Sequence, residues 1–202
     1  PFGTWMTNMA VSSRGCDHLK AVTLVDKMGR TDISEALLGR PEAGHRFVPD
    51  LKGGLSAITE HITCVYNCLG VCILVALFDP INLPPGTHTA AYTAVTGMPI
   101  TPEEIYLVGK RTANMEKAFN SRLGYARQDD LLCDRWMNET LADPGPTPAG
   151  IKAGDYLDHT LTEYYMWQGW DPATSLQKRE TLEQLDLKDV ADVLAREGFL
   201  VG

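Results

Sequence analysis

At 202 residues the chain is long enough to bury a sizeable core and reads as one or two ordinary domains. Its formal charge of −8, with basic residues scattered and no polybasic arm, excludes a nucleic-acid partner, because phosphate binding needs clustered Lys and Arg. Five cysteines, an odd number, with no charged and apolar leader before them, argue against a disulfide scaffold. They favour reduced thiols or metal ligands in a reducing compartment, the cytoplasm. The chain opens on Pro1, which predicts a piece of a longer polypeptide.

In chain order, the first segment with chemical content is Ser13-Arg14-Gly15-Cys16-Asp17-His18-Leu19-Lys20, which gathers a thiol, an imidazole and two cations. From Leu55 to Phe78, the residues Ile58, Ile62, Val65, Leu69 and Cys72 recur at intervals of three or four and mark one buried helical stripe. The nearly apolar run from Cys64 to Phe78 is roughly five residues short of a bilayer span, so it predicts a buried core helix and no membrane partner. Two glycines and the stretch Leu83-Pro84-Pro85-Gly86 punctuate this region. Thr101-Pro102-Glu103-Glu104 predicts a helix start: a threonine cap, proline in the first turn, and acids at the positive end of the dipole. That helix runs through Ile105, Val108, Met115 and Phe119, with Gly124 as terminator.

Asp143-Pro144-Gly145-Pro146-Thr147-Pro148 reads as a linker. It divides a helical region at 1–142 from a second helical part at 151–202, with 143–150 between them. In that second part, Asp155 to Trp167 is an amphipathic helix with Leu157, Leu161 and Tyr165 on one side. Arg179 to Leu185 adds a turn or two, and Leu187 to Arg196 forms a short last helix. No run alternates with period two for long enough to promise a large sheet, so the expected class is all-α.

Cys64, Cys68 and Cys72 are spaced i, i+4, i+8, a drift of about 40° per step that puts three thiols on one helical face. Free cysteine is among the most buried residue types, so Cys64 and Cys68 read first as small apolar side chains lining a packed helix. A zinc site from His61, Cys64 and Cys68 lacks the usual Cys-x-x-Cys geometry and a fourth ligand. Three thiols in a row on a straight helix cannot wrap a four-iron cube, which needs four converging thiolates.

Two motifs taken in order, Arg14-Gly15-Cys16-Asp17-His18-Leu19-Lys20 and Asn67-Cys68-Leu69-Gly70-Val71-Cys72, resemble the C-terminal part of the tungsten-dependent aldehyde:ferredoxin oxidoreductases. Asn114 to Gly124 with Arg127-Gln128-Asp129-Asp130, and Glu163 to Asp171, are similar to further signatures of that family. Gln168 stands where the family usually has arginine. The resemblance implies the family's helical C-terminal portion, about the last third of a member. It implies a tungsten (or molybdenum) bis-pterin and a 4Fe-4S cluster, both only in the complete enzyme. It makes His18 the proton-handling catalytic residue and Arg14 and Lys20 contacts to the anionic pterin. Asn67 takes the place of a pterin-bonding aspartate, Val71 gives backbone contacts, and Cys72 is the one cluster ligand whose three partners lie earlier in the family's chain. An imidazole near neutrality suits proton transfer, and guanidinium and ammonium suit a phosphate-bearing ligand.

The implied reaction oxidises a small aldehyde to a carboxylate and passes electrons to ferredoxin. The expected partners are the N-terminal remainder of the enzyme, ferredoxin, the aldehyde and, for assembly, a second copy of the chain in a homo-oligomer. Two alternatives stand beside it: another redox branch of the superfamily, such as an aryl-CoA-reducing subunit, and a non-catalytic helical module that only binds partners. The charges of Arg127, Asp129 and Asp130 are expected to cap and pair locally.

Overall fold

The computed structural model describes residues 3–22, 24–74, 86–140 and 150–202. The expected linker at 143–148 and the stretch 75–78 of the long apolar run lie outside them. Nine α-helices are defined among the described residues: α1 Thr4–Ala10, α2 Thr31–Leu38, α3 Lys52–Leu69, α4 Gly86–Thr96, α5 Pro102–Arg122, α6 Asp134–Asn138, α7 Gly154–Gln168, α8 Arg179–Gln184 and α9 Lys188–Glu197. Two two-residue strands, β1 Gln177–Lys178 and β2 Leu200–Val201, pair in parallel. The chain is all-α, as its patterning predicts. No helix among the described residues is long and apolar enough to cross a membrane.

The axis of the fold is α3. Every residue from Lys52 to Tyr66 on it is buried, which is the behaviour of a helix covered on all sides. It packs against α1, α5 and α7. The contacts are close because glycines stand at the crossings. A Cβ on Gly109 of α5 would lie 2.1 Å from the His61 carbonyl oxygen, and one on Gly53 would lie 2.3 Å from the Tyr164 backbone nitrogen. One apolar cluster joins Met6, Ala57, Leu132, Leu161, Tyr165 and Trp170, so residues on both sides of the 141–149 stretch share a core. A smaller cluster seats Leu182, Ala191 and Leu194 against Ala118 of α5.

The α5 start is a complete capping box. The Glu104 N–H donates to Thr101 Oγ1 at 3.2 Å, the Thr101 N–H donates to Glu104 Oε2 at 2.7 Å, and Pro102 occupies the first turn. The buried residues of α5 are nevertheless Ile105, Gly109, Ala113, Asn114, Lys117, Ala118 and Ser121, whereas Met115 and Phe119 face outward. Small residues win the face toward α3 because only they allow it to come so near.

The single long helix expected from Leu55 to Phe78 is corrected by the structure. α3 stops at Leu69, and Gly70 takes a left-handed conformation with φ 67°. The Gly70 N–H donates to the Asn67 carbonyl at 3.2 Å and the Val71 N–H to the Tyr66 carbonyl at 2.9 Å. This is a Schellman termination, completed by Val71 packing against Tyr66. Cys72 therefore lies beyond the helix and does not share a helical face with Cys64 and Cys68.

Adding a methyl group at Gly109 meets the His61 carbonyl on the α3 backbone first and the Val65 side chain next, so the two helices must move apart. Gly109→Ala is expected to lower stability by about 1–3 kcal/mol, read from the urea midpoint. An unchanged midpoint would mean α3 and α5 do not touch there.

Candidate functional site

The loop Val11–Lys20 leaves α1 and is stapled to α5. Ser13 Oγ donates to Glu116 Oε2 at 2.7 Å, and Asn120 Nδ2 donates to the Ser13 carbonyl at 2.7 Å. Its two cations take different places. Arg14 is exposed and donates to Asp17 at 2.6 Å. Lys20 is 2 % exposed, ion-paired to Glu116, and donates to Cys64 Sγ at 3.2 Å. Burial alone would lower the Lys20 pKa, but Cys64, Glu60 and Glu116 around the ammonium outweigh it and hold it above its usual value. Burial, reinforced by Glu60, pushes the Cys64 thiol up to about 12. It stays a neutral thiol and takes the packing role expected of it.

His18 is exposed, with its ring centroid 5.7 Å from that of Trp5. It lines a cleft of about 390 Å³ with Trp5, Met9, Asp26, Arg46 and Trp136. The other end of the loop, Ser12 to Cys16, roofs a separate cavity of about 380 Å³ whose walls include Glu60, Lys117, Asp130 and Tyr164. The two spaces share no lining residue. Lys117 Nζ donates to Ser175 Oγ at 2.8 Å and stands 5.4 Å over the Trp170 ring. Burial lowers its pKa.

The second motif is the Schellman turn itself. It leaves the Asn67 side chain and the Cys72 thiol exposed. The Val71 N–H is already committed to Tyr66, so only its carbonyl is left for a backbone contact. Cys68 reaches Thr112 Oγ1 at 3.4 Å. Among the described residues, no group of three or more ligating side chains gathers around Cys72. The one such group is Asp50, His159 and Glu163. There Glu163 accepts from the Leu51 and Gly53 N–H groups at 2.8 and 3.1 Å, which satisfies the start of α3 and holds Leu51 at φ 66°.

The site that residue spacing did not announce is the polar chain inside α3. Glu60 is 4 % exposed and accepts from the Tyr164 hydroxyl and, at 2.7 Å, from Gln168 Nε2, both on Oε2. The Gln168 amide nitrogen faces these two oxygens, so its Oε1 accepts from His61 Nε2–H at 2.8 Å. That fixes the tautomer, and His61 Nδ1 accepts from the Tyr106 hydroxyl at 2.9 Å. Burial raises the Glu60 carboxyl from 4.5 to about 7, and burial lowers the His61 imidazole from 6.5 to about 4. Glu60 and His61 escape periodicity because both stand inside an otherwise apolar stripe. Adjacent ionisable residues in a run of that kind are the signal that marks them.

The family signatures beyond the two motifs join elements across the fold. Asn114 Oδ1 accepts from Trp170 Nε1 at 2.9 Å and Gln177 Nε2 at 2.7 Å. Arg127 donates to the Pro172 carbonyl at 2.7 Å and to Asp158 at 2.6 Å, and Tyr165 donates its hydroxyl to Asp130. Asp129 caps locally, accepting from the Ala126 N–H at 2.9 Å. The expectation of local pairing holds for Asp129 and is corrected for Arg127 and Asp130, which reach to α7.

The described residues thus form a helical domain in which a buried helix carries a carboxyl and an imidazole and is followed by a turn that exposes a thiol. Residues 2–187 match the family model for aldehyde ferredoxin oxidoreductase, domains 2 & 3, and the chain belongs to that oxidoreductase family. It is similar to the tungsten-containing aldehyde ferredoxin oxidoreductase of Pyrococcus furiosus, at 27% identity over 89% of this chain and 27% of that protein. The Pyrococcus horikoshii protein of the same description is 26% identical over the same shares. The chain thus spans about a quarter of the length of these relatives. Among solved structures, the active-site complex BamBC of benzoyl coenzyme A reductase, in complex with 1,5 dienoyl-CoA, shares the fold. Its TM-score is 0.57 at 23% identity, covering 77% of this chain and 22% of that one.

The opposed shifts of Glu60 and His61 generate a stability signature. Between pH 4.5 and 6.5 the unfolded chain holds one proton on His61 and none on Glu60, while the folded chain holds one on Glu60 and none on His61. The two contributions cancel and this pair adds no slope. With Glu60→Gln only His61 remains. Its depressed folded pKa means stability is fully present above 6.5 and lost as pH falls toward 4. The variant is expected to lose about 1.4 kcal/mol per pH unit relative to wild type across that window. Parallel pH–stability curves for the two proteins would sink the assignment.

Proposed function

We propose that this chain is the cofactor-facing helical portion of a tungsten (or molybdenum) bis-pterin, iron–sulfur oxidoreductase that converts aldehydes to carboxylates with ferredoxin as electron acceptor. The observation that supports it most is the turn at Gly70, which puts an exposed thiol and an exposed amide on six consecutive residues, Asn67 to Cys72. The donor set fits one corner of a four-iron cluster, since Cys72 is an exposed free thiol and, among the described residues, no group of three or more ligating side chains includes it. The other three ligands then belong to the N-terminal remainder. The exposed Met115 and Phe119 on α5, with Leu123 just after it, are apolar surface suited to being covered by it.

In this reading the bound metal–pterin centre supplies the two-electron chemistry and the cluster carries the electrons away. The chain's own residues hold and serve it. Arg14 offers an exposed guanidinium to the anionic pterin, while Lys20, sealed against Glu116 and Cys64, would add its positive charge from beneath the loop without touching the ligand. The Asn67 amide and the Val71 carbonyl would hold the pterin edge. His18, on its open cleft beside Trp5, takes and returns a proton at an imidazole nitrogen. Five free thiols are consistent with a reducing cytoplasm. The likeness to a benzoyl-CoA reductase component is one of fold, so a substrate screen with aldehydes and aryl-CoA thioesters decides between the two branches of chemistry.

In the complete enzyme, Cys72→Ser is expected to lose iron and sulfide while Cys64→Ser keeps them, read by anaerobic metal and sulfide analysis. Equal cluster content in both variants would remove Cys72 as a ligand. His18→Asn is expected to cost on the order of 10²–10⁴ in rate with an unshifted melting temperature. A full-rate, cofactor-loaded variant would take His18 out of the chemistry.

A further inference from the structure

We propose that Glu60 is the proton-transfer residue of the cavity beneath the Ser12–Cys16 loop, exchanging one proton through Oε1 with a water or a hydroxyl-bearing ligand held there. The inference rests on the proposed function only for the nature of that ligand, an oxygen-bearing small substrate or its water.

Both hydrogen bonds to the carboxyl, from Tyr164 and from Gln168, land on Oε2. Glu60 lines the cavity, and with Oε2 doubly occupied, Oε1 is the oxygen left for it. A proton carried by the acid form therefore sits on Oε1, because Oε2 is already accepting twice. A carboxyl serving packing alone has its oxygens turned into the protein. Here one is clamped by α7 and the other is presented, which is the arrangement of a positioned acid or base.

The groups facing Glu60 come from every surrounding element. Lys20 from the loop favours the carboxylate, as does the Tyr164 hydroxyl from α7, while Glu116 of α5 and Asp130 of the 127–130 turn oppose it. Lys117 of α5 stands on the same cavity wall, and Gln168 of α7 is neutral. Burial is the largest influence, and the result is a group at about 7 with both forms available near neutrality. In the forward step the ligand's O–H bond breaks, the proton passes to Oε1, and the electron pair stays on the ligand oxygen. The new negative charge on that oxygen lies in a cavity lined by Lys117 and Arg14 as well as by Asp129 and Asp130. The reverse step returns the proton. No electron leaves or enters.

The test uses the complete enzyme, infrared spectroscopy and Glu60→Gln. Glutamine keeps an acceptor for Tyr164 and Gln168 and places its amide where Oε1 was, so the fold is retained and its melting temperature at pH 8 checks this. Wild type is expected to show a carboxylic-acid carbonyl band that titrates near pH 7, shifts within seconds of mixing into D₂O, and is absent from Glu60→Gln. The pH profile of kcat/KM for aldehyde oxidation is expected to lose its limb near 7, with a fall on the order of 10²–10⁴. Glu60→Asp, shorter by one methylene, is expected to keep a titrating band while the rate falls, and it stands in should the glutamine variant unfold. No band titrating between pH 6 and 8, or one that D₂O leaves in place, overturns the inference whatever the activity. A titrating, exchangeable band in an enzyme that oxidises no aldehyde would retain Glu60 in this role and discard the substrate assignment instead.

Discussion

The structure depends on burying α3 completely while it carries Lys52, Glu60 and His61 in its interior. Each of those groups needs a partner, since leaving a buried charge unpaired costs about 3–5 kcal/mol and leaving a buried neutral polar group unpaired about 1–3 kcal/mol. Lys52 donates to the Ala43 and His45 carbonyls at 2.5 and 2.7 Å and lies 3.5 Å from Asp26. Asp26 in turn accepts from the Thr4 N–H at 2.8 Å and hydroxyl at 3.0 Å, which fixes the start of α1. Glu60 and His61 draw Tyr164 and Gln168 from α7 and Tyr106 from α5. The partners thus come from loops and helices far apart in sequence, and satisfying them locks the register of those elements around one axis.

Much of this was legible in the sequence, where local chemistry and tertiary packing agree. Thr101-Pro102-Glu103-Glu104 opens α5 as expected, and Leu157, Leu161 and Tyr165 form the buried side of α7. The last two helices stand where they were placed. α1, α2, α4 and α6 were not legible, because what holds them lies in the elements they pack on and not in a signal of their own sequence. α4 is an example: His88 Nε2 lies 3.0 Å from the Tyr66 hydroxyl at the end of α3. The break at Gly70 was hidden by apolar periodicity, which continues past the point where a glycine in the left-handed region ends the helix.

The two motifs were visible as residue types, but their environments were not. Lys20 and Arg14 sit six positions apart on one loop, yet one is sealed against α5 and the other faces solvent. Burial of Lys20 depends on Glu116, more than ninety positions away, and no spacing rule reports that. The signature residues around Asn114, Arg127 and Glu163 held no evident chemistry because their work is to tie elements together. Trp170 finds Asn114, Arg127 finds Asp158, and the Glu163 carboxylate closes the first turn of α3.

The chain of hydrogen bonds through Gln168 has a direction. Its amide gives on one side, to Glu60 and Tyr164, and receives on the other, from His61, which in turn receives from Tyr106. An amide can do both at once. The arginine the resemblance would place at this position only gives. With it, His61 would have to present a lone pair at Nε2, move its hydrogen to Nδ1, and turn Tyr106 from donor into acceptor, while a fixed positive charge would stand beside Glu60. The identity of residue 168 therefore sets the polarity of a whole row of groups through the core, and glutamine sets it so that the row ends in a carboxyl free to hold a proton.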